Sequence, residues 1–199
     1  MYLAIKTKMS GVPLPNFSLD HPSQPKLLHF AGVVFDEAGQ ELESLIAEVR
    51  QGEPASIRAG RNGLERIAPN LPESDSAEPK DVSNWFRTRA KRAKWLVGHE
   101  IYLGVINMAI AGAKAESAAF MPNCRLFCTS LQSIQVVNSP PTAQMMEAGR
   151  YHPKMPTLRE CAAVILDESS DLEPDCRTEL DWTVRIFRRV MHERGERFY

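Results

Sequence analysis

The first fifty residues alternate short apolar runs with turn residues, which is the pattern of β-strands joined by loops. Residues 1–8 begin with the apolar run YLAI, and Ser10-Gly11 marks the end of this stretch. Residues 27–35 and 43–49 predict a second and a third strand, and the tetrapeptide DEAG between them is typical of a hairpin turn. These runs predict three strands that follow one another as a meander.

The rest of the chain predicts helices that alternate with short strands. Residues 50–80 are polar and rich in Gly, Pro and Ser, which predicts a long surface excursion. The elements predicted after it are a helix over 84–93 capped by Asp81 or Ser83, a strand over 94–100, a helix over 100–113, a strand over 125–129, a helix over 154–166 capped by Thr157, and an amphipathic helix over 176–195.

The order β-β-β-α-β-α-β-α-α predicts an α/β fold. We expect a mixed five-stranded sheet, with three antiparallel strands followed by parallel ones, and helices on both faces. A chain of 199 residues is long enough for one domain with a real core and too short for two comfortable ones. Residues 1–199 are therefore predicted to form a single domain.

Composition adds little to this picture. Hydrophobic residues make up 43% and charged residues 25% of the chain, and the formal net charge of −1 argues neither for nor against a polyanionic partner. No apolar run approaches the roughly 18 residues that span a bilayer, and Lys6 interrupts the only apolar stretch at the N-terminus. We therefore expect a cytoplasmic protein that has no membrane partner.

The four cysteines predict no metal site. Cys124, Cys128, Cys161 and Cys176 lack the spacing of a zinc site, and no His-x-x-x-His pair accompanies them. The chain is also too large and too apolar to need a disulfide framework. We expect buried, reduced thiols.

Lys6 and Lys8 are the unusual feature of the first strand. A spacing of two residues places both ammonium groups on one face of a strand. They stand at its carboxyl end, where α/β folds usually keep their chemistry. A further basic cluster at 87–94 is typical of a solvated helix face, with a phosphate-contacting patch as the alternative, and the arginines at 185–197 would widen a basic surface if the two clusters share a face.

Five segments carry a family resemblance through their order and spacing. They are LLHFAGVVFDEAGQEL, WLVGHEIYLGVINMAI, FCTS, MPTLRECAAVIL and CRTELDWTVRIFRRVM. Together they resemble the DEDDh family of 3′–5′ exonucleases, the group that contains the proofreading subunit of the bacterial replicative polymerase. The resemblance covers most of the chain outside 50–80 and implies the ribonuclease H-like fold.

The resemblance also implies that the catalytic site is degenerate. The family holds two divalent metal ions with four carboxylates and uses a histidine as general base. The stretch KTKMSG stands where the family has D-x-E-T-T-G, and His99 with Glu100 stands where it has His-Asn. At the family's five catalytic positions this sequence has Lys6, Lys8, Gly104, Cys176 and Asp181.

The charge at these positions disfavours metal binding. Four carboxylates balance two divalent ions, whereas two lysines, a glycine and one aspartate leave a charge of +1. Two like unit charges about 4 Å apart repel by roughly 4 kcal/mol at an effective dielectric of 20. The resemblance therefore implies no catalytic residue, no metal site and no cofactor.

Two interpretations of the lysines stay open. In the first, the ammonium groups replace the metal ions as phosphate contacts, and the nucleic-acid-binding residues are Lys6, Thr7, Lys8, His99, Tyr102 and Asp181. In the second, Lys6 or Lys8 forms an ion pair with Asp181 and fills an unused cleft. His99 fits either a phosphate contact or a packing role at the end of a strand.

Three functions follow from these interpretations. The first is an inactive exonuclease-like module that binds single-stranded DNA or RNA. The second is a protein–protein adaptor or decoy in a replication, repair or nuclease assembly. The third is a divergent 3′–5′ exonuclease that uses Glu100 and Asp181 with Mg²⁺ or Mn²⁺.

Overall fold

The computed structural model describes residues 1–50, 76–115, 119–169 and 173–193. The strands are β1 (Tyr2–Met9), β2 (Leu27–Phe35), β3 (Glu41–Val49), β4 (Ser76–Ala77), β5 (Trp95–Gly98) and β6 (Arg125–Cys128). The helices are α1 (Pro79–Ala90), α2 (Ile101–Lys114), α3 (Thr129–Val137), α4 (Ala143–Glu147), α5 (Leu158–Cys161) and α6 (Cys176–Glu193), and a π-helical turn, Ala162–Leu166, continues α5.

The strands form one mixed sheet in the order β4-β3-β2-β1-β5-β6. β2 runs antiparallel to both β1 and β3, and the other neighbours pair in parallel. This arrangement confirms the predicted α/β fold with antiparallel strands followed by parallel ones. The two-residue strand β4 makes a sixth strand, so the predicted number of five was wrong.

The register brings several strand ends to one edge of the sheet, which we call the carboxyl edge. Met9 pairs with Leu27, so the end of β1 lies beside the start of β2. The parallel pairs β1–β5 and β5–β6 place the ends of these strands at the same edge. Lys6, Lys8 and Gly104, which the sequence analysis singled out, therefore lie at this edge.

Two hydrophobic layers cover the two faces of the sheet. Alternate residues of β1 point to opposite faces, so Tyr2 and Ala4 pack toward α6 while Leu3 and Ile5 pack toward α1 and α2. The α6 layer centres on Phe187, whose ring centroid lies 4.8 Å from that of Phe127. Burial on both faces fixes the position of β1 and therefore of the lysines at its end.

The start of α1 and the excursion before it differ from the prediction. α1 begins at Pro79 after Glu78, five residues before the predicted start, so neither Asp81 nor Ser83 is its cap. Proline suits the first helical position because its missing N–H would lack a helical partner there anyway. Residues 76–80 of the predicted excursion form β4 and the start of α1. Residues 51–75 lie outside the described part.

Two short helices were not predicted, whereas the start of α5 was. α3 and α4 fill the stretch between β6 and α5. The predicted cap Thr157 is confirmed, because its hydroxyl accepts from the Glu160 N–H and the Glu160 carboxylate accepts from the Thr157 N–H.

All four cysteines are free thiols, with Cys128 and Cys161 buried. No helix in the described ranges is both long and apolar enough to cross a membrane.

Gly32 in β2 allows a close approach of α1 to the sheet. A Cβ atom at this position would lie 2.6 Å from Cζ3 of Trp85 and 2.9 Å from Cζ of Phe30. We expect Gly32→Ala to lower the free energy of unfolding by about 1–3 kcal/mol through overpacking. Urea denaturation measures this change. Gly11→Ala is the control, because a Cβ there meets only Pro25 Cβ at 3.9 Å; equal effects of the two changes would contradict the packing argument.

Candidate nucleic-acid interface

Lys6 connects the carboxyl edge to the first turn of α6. Its Nζ donates to Oε1 of Glu179 at a distance of 3.0 Å. The side chains are 34% and 22% exposed, respectively, so water reaches both partners. This ion pair bridges the end of β1 and the start of α6.

The predicted ion pair between Lys6 or Lys8 and Asp181 is wrong. Asp181 Oδ2 instead accepts from Nη1 of Arg185 at 3.2 Å, one turn along α6. Residues two apart on a helix point about 200° away from each other, so Asp181 points away from the lysines when Glu179 faces them. Glu179, and not Asp181, is therefore the carboxylate of α6 that faces Lys6, and with Lys6 and Lys8 it leaves a charge of +1.

Glu179 was missed by the sequence reasoning, although a signal for it existed. It follows Cys176 by three residues, which places both on one face of α6. Burial raises the pKa of the Cys176 thiol, and the Glu179 charge adds to this effect while Lys6 and Lys8 oppose it. Lys8 is exposed, and no carboxylate of the described residues forms an ion pair with it. Lys6, Lys8, Cys176 and Glu179 thus form one cluster, which we call the lysine cluster.

A small cavity of about 50 Å³ lies beside Lys6 at the carboxyl edge. Thr7 and Gly104 line it, and Asn107 donates from Nδ2 to Oγ1 of Thr7 at 2.9 Å. Oδ1 of Asn107 is buried and has no hydrogen-bond partner. A Cβ at Gly104 would lie 3.5 Å from Cδ1 of Ile5, which is an ordinary contact, so a Cβ atom fits at this position.

His99 is held by hydrogen bonds at both ring nitrogens. Nε2 lies 3.1 Å from the carbonyl oxygen of Pro156, to which it donates, and Nδ1 lies 3.0 Å from Oγ1 of Thr129, from which it accepts. Burial lowers the pKa of His99 to about 4, and the Lys6 charge acts in the same direction. The neutral imidazole ties the end of β5 to the segments before α5 and at the start of α3. These partners favour the packing interpretation over a phosphate contact.

Tyr102 and Glu100 lie at the start of α2. Tyr102 is 52% exposed and does not line the small cavity. Glu100 lines the cavity and precedes α2 in the left-handed conformation, with φ of 59° and ψ of 44°. A non-glycine residue in this conformation stores strain of about 1–3 kcal/mol, and such residues cluster at functional sites.

The side chains at the carboxyl edge do not fit the pair of divalent ions that the family uses. Glu179 pairs with Lys6, so an ammonium group already neutralises this carboxylate. In the part of the chain that the structure describes, no group of three or more His, Cys, Asp or Glu side chains is arranged to hold a metal ion. This donor set suits an anion better than a cation.

The described residues of the other two basic clusters lie on opposite faces of the sheet, and residues 194–197 of the second cluster lie outside the described ranges. α1 packs in the layer of Leu3 and Ile5, and α6 packs in the layer of Tyr2. Arg89 in α1 binds Glu43, with Nε 3.2 Å from Oε2, and Arg185 in α6 binds Glu168 and Asp181. These contacts support the interpretation as solvated helix faces that hold local ion pairs.

Comparison with solved structures identifies the architecture. Escherichia coli Exonuclease I, in a complex with a dT13 oligonucleotide, is similar with a TM-score of 0.63 and 10% sequence identity over 98% of this chain and 41% of that chain. The chain has an exonuclease-like fold. The Neurospora crassa Pan2 catalytic unit, which contains a protease and a nuclease domain, gives a TM-score of 0.59 and 12% identity over 98% of this chain and 28% of that one.

The likeness is one of fold and not of close sequence. No protein-family model and no curated protein matches the chain. The chain spans less than half of the length of either structure above. Within this exonuclease-like fold, the lysine cluster stands at the sheet edge at which the resemblance places the family's carboxylates.

Proposed function

We propose that this chain binds single-stranded nucleic acid at the carboxyl edge and does not cleave it. The observation that carries the proposal is the lysine cluster, in which Lys6 pairs with Glu179 while Lys8, on the same face of β1, pairs with no carboxylate of the described residues. Phosphate groups are the anions that two adjacent lysines at such an edge would attract. The exonuclease-like fold supports a nucleic-acid ligand in preference to other anions.

Binding would proceed by exchange of one anion for another. The Lys6–Glu179 pair is partly exposed, so a backbone phosphate can replace the glutamate as the partner of Lys6 without burying a new charge. Lys8 is exposed and needs no rearrangement. Lysine contacts phosphate as a point charge and reads no base, so we expect salt-sensitive binding with little sequence preference.

Cleavage is not expected, because hydrolysis in this fold would require a carboxylate-rich edge to hold metal ions. A 3′-labelled and a 5′-labelled oligonucleotide, each incubated with the protein and Mg²⁺ or Mn²⁺, test this point. Exonuclease I serves as the active control. Shortening from the 3′ end that copurifies with the protein and is lost in Glu100→Gln or Asp181→Ala would contradict the proposal and favour the divergent nuclease.

The double variant Lys6→Glu/Lys8→Glu should lose most of the binding. For single-stranded nucleic acid, the slope of log affinity against log salt concentration falls by about 0.7 for each phosphate contact removed. Loss of two contacts should therefore lower the slope by about 1.4 and the affinity at low salt by at least about tenfold. Fluorescence anisotropy with a labelled oligothymidine measures both quantities.

Lys91→Glu/Lys94→Glu is the matched control for this experiment. It makes the same change in net charge near the start of β5, at the opposite edge of the sheet, where the Lys94 N–H donates to the Met1 carbonyl oxygen. An equal loss of affinity in both variants would show a general charge effect and contradict a site at the carboxyl edge.

A protein-binding role is the second candidate. Tyr102, Leu103 and Ile106 are 52%, 41% and 41% exposed on neighbouring turns of α2, and exposed apolar patches of this kind mark interaction surfaces. The adaptor predicts no strand binding by the wild type even at low salt. The anisotropy measurement therefore separates the two candidates directly.

A further inference from the structure

A groove at the other end of α2 contains a second set of cations. The groove encloses about 720 Å³ and is lined by the loop before β2, the end of β3, the start of α1 and the last residues of α2. Its charged lining residues are Lys26, Arg50, Lys80, Lys114, Asp20 and Glu78. Four cations against two carboxylates give the groove an excess of positive charge.

The carboxylates of the lining do not neutralise the lysines. Glu78 pairs with Arg50, with Nη1 and Oε1 3.4 Å apart. Across the described ranges of the chain, no carboxylate forms an ion pair with Lys26, Lys80 or Lys114. The positive charge of three lysines is therefore available to a ligand in the groove.

Lys114 is the fixed member of this set. Its Nζ donates to the carbonyl oxygens of Pro22 and Gln24, which hold the ammonium group against the loop before β2. Burial lowers the pKa of Lys114, and the nearby Lys26 charge adds to this effect. Two cations held close together without an anion repel each other, and a bound anion would relieve this repulsion.

The groove and the lysine cluster share the carboxyl edge. The Lys26 N–H donates to Oγ of Ser10 at 2.9 Å, and the Ser10 N–H donates to the Lys26 carbonyl oxygen at 2.8 Å. Lys26 is thus bonded to the chain two residues beyond Lys8. α2 has 14 residues and is about 21 Å long, so it separates the small cavity at its start from the groove at its end.

We propose that this groove is a second phosphate-binding site, with Lys26, Lys80 and Lys114 as its anion contacts. The phosphates come from the backbone of a bound single strand or from a free polyphosphate compound such as a nucleotide. The case in which single-stranded nucleic acid supplies the phosphates rests on the proposed function, because a nucleic-acid strand that crosses the edge from Lys6 and Lys8 would reach the groove. A free polyphosphate requires no contact with the lysine cluster.

The double variant Lys26→Glu/Lys80→Glu tests the site. Both lysines are exposed, and Lys114 is left intact because it holds the loop before β2. The probes are inorganic tripolyphosphate, measured by isothermal titration calorimetry, and a labelled oligothymidine of about 20 nucleotides, measured by anisotropy over a range of salt concentrations. Lys91→Glu/Lys94→Glu again controls for net charge.

We expect the variant to bind at least one probe about tenfold more weakly than the wild type, while the control stays within about twofold. A salt slope for the oligonucleotide that falls by about 1.4 identifies the strand as the source. Loss of tripolyphosphate binding with unchanged oligonucleotide binding supports the site and identifies a free phosphate compound.

The outcomes separate this inference from the proposed function. If reversal of Lys26 and Lys80 leaves both affinities unchanged, or if the wild type binds neither probe, the groove is not a phosphate site. If charge reversal at Lys6 and Lys8 has no effect while charge reversal at Lys26 and Lys80 abolishes binding, the phosphate site in the groove is supported and the assignment of binding to the lysine cluster is wrong.

Discussion

The triple variant Lys6→Asp/Lys8→Glu/Gly104→Asp is expected to acquire Mg²⁺- or Mn²⁺-dependent stability. Together with Glu179 it would have four carboxylates at the carboxyl edge, and a Cβ at position 104 makes only an ordinary contact with Ile5. Without a metal ion the mutual repulsion of the carboxylates should lower the free energy of unfolding. An ion present at about 100 times its dissociation constant should add back about 2.7 kcal/mol.

Thermal unfolding with a chelator and with each metal ion measures this gain. The wild type should show no comparable response, because its cluster carries a positive charge. Adding Glu179→Gln to the triple variant should abolish the response, whereas adding Asp181→Asn should leave it intact. The reverse result would mean that Asp181 and not Glu179 stands at the fourth acidic position.

The second large effect expected is a loss of stability in mild acid caused by His99. The pKa of His99 is lowered from an ordinary value of 6.5 to about 4 in the folded protein, so the unfolded chain binds the proton more readily between these values. The contribution of the neutral imidazole is present above about pH 6.5 and is lost as the pH falls toward 4. The complete loss in the free energy of unfolding amounts to about 3 kcal/mol.

Urea denaturation at about pH 7 and about pH 4.5 measures this loss. The variant His99→Gln keeps one donor and one acceptor but cannot be protonated. It should be less stable than the wild type at about pH 7 and lose clearly less stability on acidification. Parallel pH profiles for the two proteins would show that His99 is not the group responsible.

The sequence predicts the sheet well because burial on two faces leaves a strong signal. β1 and β2 are read from apolar runs, and the meander follows from the turn between β2 and β3. The apolar stripe of α6 predicts this helix equally directly, since Leu180 and Phe187 lie on its buried face. These elements owe their form to local pattern, which a single sequence contains.

α3 could not be predicted because its buried side is polar. The buried residues of this helix are Thr129, Ser130 and Ser133, so no apolar stripe marks it. Small polar side chains let the helix pack closely against its neighbours, and Thr129 also holds His99. A pattern of hydrophobic spacing cannot detect packing of this kind.

The site could be predicted only in part, for a related reason. The spacing along the chain places Lys6, Lys8 and Gly104, because each lies on an element whose position is fixed by burial. The choice between Glu179 and Asp181 depends on how α6 is rotated about its axis, which the start of the helix alone does not determine. The partners of His99 come from residues 30 and 57 positions away, beyond the reach of any local pattern.

The short length of β4 has a consequence for self-association. In the described residues, β4 covers the outer side of β3 only at Glu48 and Val49. An uncovered strand is a template for pairing between molecules, and charged side chains are a common protection. Glu41 and Glu43 provide this protection while their contacts with Arg177 and Arg89 fasten the strand to both helical layers. Replacing both glutamates by valine should therefore promote aggregation before it weakens the binding of any ligand.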